Sequence, residues 1–202
     1  MNINITALSA SHIDAVVKIH LKAFPTFFLS FLGARFLREF YTGFLLDTQG
    51  IGYIASAANG QILGVIAGPV DPRGYFKRLL KRRWWAFSLA SITAILKHPS
   101  SISRLLRAVF YRGESPSGPT RALLSSIAVD PNVQGLGIGK KLVTYWVARI
   151  RRAGAFGCYL TTDADGNDKV NAFYQSLSWH IESTYITPQG RRMNRYVYDF
   201  KE

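Results

Sequence analysis

A glycine-rich segment spans Gln134–Gly139 (QGLGIG), between an apolar stretch and an amphipathic one. Glycines let a chain turn tightly, and the N–H groups at the start of the following helix can then bind an anion. The spacing is neither the dinucleotide pattern G-x-G-x-x-G, because Lys140 stands at the third glycine position, nor Walker A, because Lys141 follows that lysine. Glycine spacing alone therefore predicts either a phosphate site or an ordinary strand-to-helix turn.

Two patterns include or follow this segment. The pattern [Q/R]-x-x-G-x-[G/A] follows an apolar strand that ends Val129-Asp130-Pro131, and an Asn followed by a helix with Phe-Tyr covers Asn167 through Leu177. The first resembles the pyrophosphate-binding motif of the GNAT family of N-acetyltransferases, and the second is similar to that family's second signature. The resemblance covers about 150 of the 202 residues. It implies acetyl-coenzyme A (acetyl-CoA) as acyl donor and no metal, with these cofactor-binding residues: Ile127, Ala128, Val129, Gln134, Gly135, Leu136, Gly137, Ile138, Gly139, Lys140, Asn167 and Asn171.

The resemblance also implies one catalytic residue, Tyr174. Asn167, Asn171 and Tyr174 are spaced i, i+4 and i+7, so they share one face of a helix. An amide there could bind the peptide-like pantetheine arm, and the phenol could protonate the departing thiolate, since the two pKa values are ~10 and ~8.5. Asn167 is also a good helix N-cap, and Tyr174 could instead be a packed aromatic residue.

The remaining chemistry is an oxyanion donor and a base. A backbone N–H near Val129, where the family has a bulged strand, is expected to polarise the thioester carbonyl. Many relatives place a glutamate on this strand, but this chain has Ser125 and Ser126, which are poor bases. The base candidates are Asp163, Glu182 and a water chain. His20 could also face the acceptor, although its helical position favours a buried, hydrogen-bonded role. Ser178-Trp179 replaces the family's usual Gly-Phe.

The elements that position these residues follow from periodicity and turn residues. The first part reads β-α-α-β-β: strand 3–8, a helix ending before Pro25, helix 31–45, and a hairpin turning at Asn59-Gly60. The last part reads β-α-β-α-β-β: strand 123–129, helix 140–153, strand 155–162, helix 168–177, and a hairpin of 179–187 with 192–200. We therefore predict an α/β fold with a mixed, mostly antiparallel sheet flanked by helices, the acyl-CoA N-acyltransferase fold.

A basic segment, residues 71–120, does not fit the family pattern. The net charge of the chain is +13, and this segment contributes ten Lys or Arg against Asp71 and Glu114, or +8. Its basic run precedes an apolar stretch, 84–96, which is too short to span a membrane, and a second amphipathic helix covers 102–110 before a linker at 115–120. These helices either contact an anionic membrane surface or cover the acceptor site and bind an anionic acceptor. Nucleic acid is less favoured, because no recognition module is present.

Composition supports one domain over residues 1–202 with this insert. The one cysteine, Cys158, is expected in the core, and the N-terminus lacks a signal-peptide pattern, so we expect a cytoplasmic protein, with peripheral membrane contact as an option. The resulting hypothesis is an acetyl-CoA-dependent N-acetyltransferase that acts on a primary amine in a ternary complex. The candidate acceptors are an amino sugar and other anionic or lipid-linked amines. The alternative is a non-catalytic module of the same fold that recruits membrane or nucleic acid through its insert.

Overall fold

The computed structural model describes residues 2–97 and 121–200, without the side chains of 91–97. In this part of the chain the helices are α1 (Ile13–Ala23), α2 (Phe28–Phe31), α3 (Gly33–Leu46), α4 (Tyr75–Lys97), α5 (Ile138–Arg152) and α6 (Asp168–Ser176). The strands are β1 (Ile3–Ala7), β2 (Gly50–Ala57), β3 (Ile62–Pro69), β4 (Arg121–Leu123), β5 (Ser126–Val129), β6 (Gly157–Asp163), β7 (His180–Ile186) and β8 (Arg192–Asp199). The predicted second helix of the insert, 102–110, and the linker at 115–120 lie outside the described residues.

The strands form two four-stranded sheets, ordered β1-β2-β3-β5 and β4-β6-β8-β7. Among the described strands, β4 and β6 pair in parallel and every other pair is antiparallel. The first sheet packs one face against α1, α3 and α4, and a second core forms around α5, α6 and the strands of both sheets. The prediction of a mixed, mostly antiparallel sheet flanked by helices is confirmed.

One predicted strand, 123–129, is wrong in detail, because the chain divides it between the two sheets. The Leu124 N–H donates to Tyr159 O of β6 at 2.9 Å, and the next N–H, of Ser125, donates to Ala67 O of β3 at 3.0 Å. Ala67 is also in register with Ser126, so two residues oppose one, which is a β-bulge. Apolar periodicity reports burial and carries no information on which neighbour a strand pairs with, so the division is invisible in the sequence.

Two helix boundaries also differ from the prediction. Helix α5 begins at Ile138 rather than Lys140, because Gly137 is its N-cap and Gly139 is already helical. In α4, the basic run and the apolar stretch of the insert lie in two helical segments that meet at a kink at Arg83 (φ −127°, ψ 26°), whose Nε donates to Glu39 at 2.6 Å. Within the described residues, no helix is both long and apolar enough to cross a membrane.

Candidate active site

The glycine-rich segment forms an open loop that leads into α5. Asp130 begins it by accepting the N–H of Asn132 at 3.0 Å, and a short 3-10 turn, Pro131–Val133, follows. Gly135 and Gly137 then adopt left-handed φ values of +82° and +75°, which glycine takes at low cost. These two glycines turn the chain so that α5 starts immediately after the loop.

The N-terminus of α5 presents unpaired amides. The first helical bond joins the Lys141 N–H to Gly137 O at 3.1 Å, so the N–H groups of Ile138, Gly139 and Lys140 precede the helical ladder. The first turn contains no acidic residue, and Gln134, Leu136 and Lys140 are exposed. This is the arrangement in which a helix N-terminus attracts an anion.

A gap opens between β5 and β6. Just before β5 the chain still lies beside β6, since β4 pairs with β6 from Arg121 to Leu123. From Ser126 onward, β5 pairs with β3 alone. Strand β6 pairs with β8 along its whole length to Asp163, so the other edge of its last residues faces the gap. We call this gap the split; its two sides are the residues 126–129 and 160–163.

The alternation of backbone groups shows which residues face the split. Asp130 N–H donates to Leu63 O of β3, so the N–H groups of Ile127 and Val129 point away from β3, into the split. Ala164 N–H donates to Arg192 O of β8, so the backbone groups of Thr161 and Asp163 likewise face the split. The predicted backbone donor near Val129 is thus available, although the bulge lies at Ser125 and Ser126. Ala128 instead faces β3, and its side chain packs in the α1–α3 core.

The two asparagines lie at the mouth of the split. Both donate side-chain N–H groups to the Asp163 carbonyl at 3.1 Å, and Asn167 also donates to Thr162 Oγ1 at 2.7 Å. Asn171 further accepts from Asn194 at 3.2 Å and from the Tyr196 hydroxyl at 3.1 Å. Asn167 occupies the N-cap position of α6, but its side chain makes no capping hydrogen bond. The helix start is therefore fixed to the end of β6.

Tyr174 lies one turn further along the same helix. It is 4% exposed, and its ring packs against Trp179 and Tyr196, in the core that also contacts Ile127 and Val129. Burial raises the pKa of the Tyr174 hydroxyl above its usual value, so the phenol keeps its proton at neutral pH. Gly139, just after the loop, lies close to this helix, since a Cβ on Gly139 would lie 3.4 Å from Phe173 Cζ. Loop, split and α6 thus converge.

The turn after α6 carries the one departure that backbone geometry explains. Ser178 has a φ of +64°, the left-handed region where relatives usually have glycine. A non-glycine residue adopts this conformation at a cost of about 1 kcal/mol. Trp179 is nonetheless buried, and its ring packs against Tyr174. The turn therefore keeps its left-handed residue although that residue is serine.

The carboxylate candidates for the base are bound in ion pairs. Asp163 accepts hydrogen bonds from Arg191 at 2.7 and 2.8 Å. Glu182 accepts a hydrogen bond from Arg195 Nε at 2.7 Å and another from Arg121. In the described structure these guanidinium groups occupy both carboxylates. Neither residue gains support as a base from this geometry.

A buried polar chain lies on the other side of β5. His20 Nδ1 is 2.8 Å from the Tyr41 hydroxyl, which is 2.9 Å from Ser126 Oγ, and all three residues are buried. Burial lowers the pKa of His20 to about 4, so the ring is neutral near pH 7. His20 is buried and hydrogen-bonded, as its helical position indicates. Sequence reasoning missed Tyr41, because it lies among the apolar positions of α3 and looks like any other core aromatic residue.

Known protein families and solved structures include proteins similar to this chain. Residues 13–179 match the Acetyltransferase (GNAT) family. Curated protein sequences give no match. Among solved structures, the fold is similar to the ribosomal-protein-S18-alanine N-acetyltransferase of Escherichia coli, with a TM-score of 0.60 and 15% identity over 100% of this chain and 96% of that one.

Two further solved structures share the fold. A GNAT family acetyltransferase from Brucella melitensis, in complex with acetyl-CoA, has a TM-score of 0.55 and 16% identity over 100% of this chain and 90% of that one. The spermidine/spermine N-acetyltransferase SpeG of Vibrio cholerae has a TM-score of 0.57 and 12% identity, covering 98% and 95%. The predicted family, fold class and enzyme class are confirmed: the chain belongs to the GNAT family of N-acetyltransferases.

Proposed function

We propose that this acetyltransferase moves the acetyl group of acetyl-CoA to a primary amine, by direct attack in a ternary complex. The observation that carries the proposal is the split, whose unpaired backbone groups adjoin the open amides of the α5 N-terminus. Acetyl-CoA is the acyl donor, as the sequence predicts, and the fold is that of the B. melitensis protein whose structure contains it. A peptide-like arm that ends in a diphosphate matches both parts of the groove.

The diphosphate would lie on the loop. Amides of the segment from Gln134 to Lys140, above all those of Ile138 and Gly139, would hydrogen-bond its oxygens at the positive end of the helix dipole. Lys140 and Lys141 are the basic residues in this first turn, and Lys140 is exposed. Uncharged backbone donors would therefore supply most of the phosphate binding.

The pantetheine arm would enter the split as an added strand. The edges of Ile127 and Val129 on one side and Thr161 on the other offer N–H and C=O groups at strand spacing. Asn171 has its amide bonded within the protein, so it would hold the wall of the groove. In the described structure the Asn167 amide oxygen has no protein donor, and it could accept an N–H of the arm.

The chemistry follows from the groups at the split. The acceptor nitrogen attacks the thioester carbon, a C–N bond forms, and the carbonyl oxygen receives the N–H of Ile127 or Val129 as negative charge develops. The C–S bond then breaks, and Tyr174 donates its proton to the thiolate. The proton of the amine leaves to solvent, and solvent returns a proton to Tyr174, so no covalent acyl-enzyme is needed.

The acceptor is proposed to be a small amine, with amino sugars and lipid-linked or other anionic amines among the candidates.

A peripheral membrane contact is a second candidate property, favoured by the exposure of Trp84 (66%), Trp85 (53%) and Leu89 (57%) on α4, next to exposed Lys81 and Arg82. Flotation with vesicles containing anionic lipid tests that property. Replacing both tryptophans with serine should release the protein, and unchanged flotation would contradict it.

The proposed reaction is tested by a screen of amine acceptors with isotopically labelled acetyl-CoA and mass-spectrometric detection. We expect label on at least one small primary amine, with free CoA released in equal amount. Retention of label on the protein through a denaturing wash would contradict direct attack. Absence of both label transfer and acetyl-CoA binding would contradict the proposed function as a whole.

A further inference from the structure

Two buried polar atoms near the split have no hydrogen-bond partner in the described structure: Arg195 Nη2 and Ser125 Oγ. The Arg195 side chain is only 10% exposed. A buried guanidinium N–H without an acceptor is unfavourable, and a hydroxyl in the same situation is unfavourable to a smaller extent. Both atoms would gain from an oxygen supplied by a ligand.

Both residues are connected to Tyr159. Ser125 follows Leu124, whose N–H donates to Tyr159 O at the point where the chain leaves β6 for β3. The guanidinium carbon of Arg195 lies 3.9 Å above the centroid of the Tyr159 ring. Arg195 is also in register with Thr161, in the part of β6 that borders the split. Ser125 therefore lies where the split begins, and Arg195 lies beside the same part of β6, on its other edge.

Alternation along the strands places both side chains on one face. Leu124, Leu160 and Tyr196 belong to the core around α5 and α6. Their sequence neighbours Ser125 and Arg195 consequently project to the opposite face of the sheet. An acceptor bound there would approach the thioester from the face opposite α5 and α6.

The neighbours of Arg195 hold its guanidinium in place and leave one nitrogen for a ligand. Glu182 accepts from Nε at 2.7 Å, and the Tyr159 ring supports the flat face of the group. The single charge of Glu182 is shared with Arg121, which also binds Asp199. Arg195 is thus positioned by a carboxylate that it shares with a second arginine, in a cluster of two arginines and two carboxylates.

From this geometry we infer that Arg195 Nη2 and Ser125 Oγ bind an oxyanion group of the acceptor. The inference rests on the proposed acetyl transfer and narrows its substrate class to small primary amines that carry a carboxylate or a phosphate group. Hydrogen bonds from a guanidinium to an anionic oxygen are stronger than neutral ones, so this contact would distinguish an anionic acceptor from its neutral analogue.

The test compares matched acceptors in a steady-state transfer assay. One pair is O-phosphoethanolamine and ethanolamine, and the other is β-alanine and propylamine, which separates phosphate from carboxylate. For the wild type we expect kcat/KM to be about tenfold or more higher for the anionic member of at least one pair. Arg195→Gln should remove that preference by raising KM, while the neutral member changes by less than about twofold.

Arg192→Gln is the matched control, because Arg192 lies on the same strand, is exposed and pairs with Asp165. Arg192→Gln should leave kcat/KM unchanged for both the anionic and the neutral acceptor of each pair. Equal loss for the anionic and neutral members in Arg195→Gln would show a purely structural role and overturn the inference, as would a wild type without preference. If Arg195→Gln fails to fold, Ser125→Ala provides the same comparison, with a loss of several-fold confined to the anionic member.

A binding arm separates this inference from the proposed function. If no amine is acetylated, the proposed reaction fails, but calorimetry with O-phosphoethanolamine and β-alanine in the presence of CoA still examines the site. Binding that is lost in Arg195→Gln and kept in Arg192→Gln would support the oxyanion site alone. Absence of binding to the wild type would overturn it.

Discussion

The two faces of the sheets at the split are built from different kinds of groups. On the face of α5 and α6, the proposed coenzyme side, the donors are backbone amides of the loop and of β5, and the two charged side chains in the first turn of α5, Lys140 and Lys141, are exposed. On the opposite face, the proposed acceptor side, side chains dominate: the chain from His20 to Ser126 and the ion-paired, partly unsatisfied Arg195. A backbone cradle suits one invariant ligand, whereas side chains can specify one acceptor among many.

Replacement of Tyr174 should give the largest effect, because it removes the only proposed group that acts on the leaving thiolate. We expect Tyr174→Phe to lower kcat by about 10²-fold or more, the usual contribution of general acid catalysis. The dissociation constant for acetyl-CoA should change by less than about twofold, since backbone groups make most of the coenzyme contacts in the proposed complex. Stopped-time product assays and calorimetry measure the two quantities.

Tyr196→Phe is the control for this variant, because it removes a nearby hydroxyl that binds Asn171 rather than the thiolate. Its kcat should fall much less than that of Tyr174→Phe. Equal turnover in Tyr174→Phe and wild type would rule out the acid role and leave Tyr174 as a packed aromatic residue.

On the acceptor side, His20 should make stability depend on acidity. Its pKa is lowered from 6.5 to about 4, so the unfolded chain binds more protons than the folded one between these values. Stability should therefore fall as pH decreases from 6.5 to 4, with a limit of about 3 kcal/mol. Urea unfolding at a series of pH values should show that His20→Gln lacks this part of the decline.

His180→Gln provides the comparison, since His180 is exposed on the edge strand β7. This variant should follow the wild-type profile between pH 6.5 and 4. A wild type and His20→Gln with parallel profiles would contradict the assignment of His20 as a buried neutral group.

The smallest effect is expected at Lys140. Its side chain is exposed, and an exposed charge contributes about 0.2–1 kcal/mol. Lys140→Ala should therefore weaken acetyl-CoA binding by no more than about fivefold at physiological salt. A much larger loss, with a steep dependence on salt, would show that side-chain charge rather than the backbone holds the phosphates, and the contrast between the two sides would disappear.

The backbone of the loop and of α6 could be predicted from the sequence because its information is local. Gly135 and Gly137 mark left-handed turns, and the spacing of Asn167, Asn171 and Tyr174 places them together on α6, as observed. The roles of these residues toward the coenzyme stay predictions. Family membership, fold class and enzyme class were predicted correctly because these motifs are contiguous in the chain.

The acceptor side could not be predicted in the same way, because its contacts join distant segments. Tyr41 and Ser126 are 85 positions apart, and Arg121 and Glu182 are 61 apart. The sequence at 123–129 predicts one continuous strand, yet a change of hydrogen-bond partner between Leu124 and Ser125 creates the split. Arg195 was missed because a charged residue within a strand ordinarily indicates an exposed position.

The most direct test of the coenzyme site is titration calorimetry of acetyl-CoA into the wild type, Gly137→Val and Gly60→Val. Both glycines have left-handed φ values, +75° and +82°, and neither would place a Cβ within 4 Å of another group, so the two variants carry similar backbone strain. Gly137 lies in the loop, whereas Gly60 lies in the β2–β3 turn.

We predict one-to-one binding by the wild type and Gly60→Val, and binding at least about tenfold weaker by Gly137→Val, because the loop amides would no longer point at the diphosphate. Equal affinity in all three proteins, or no binding by the wild type, would contradict the central claim that this loop holds acetyl-CoA.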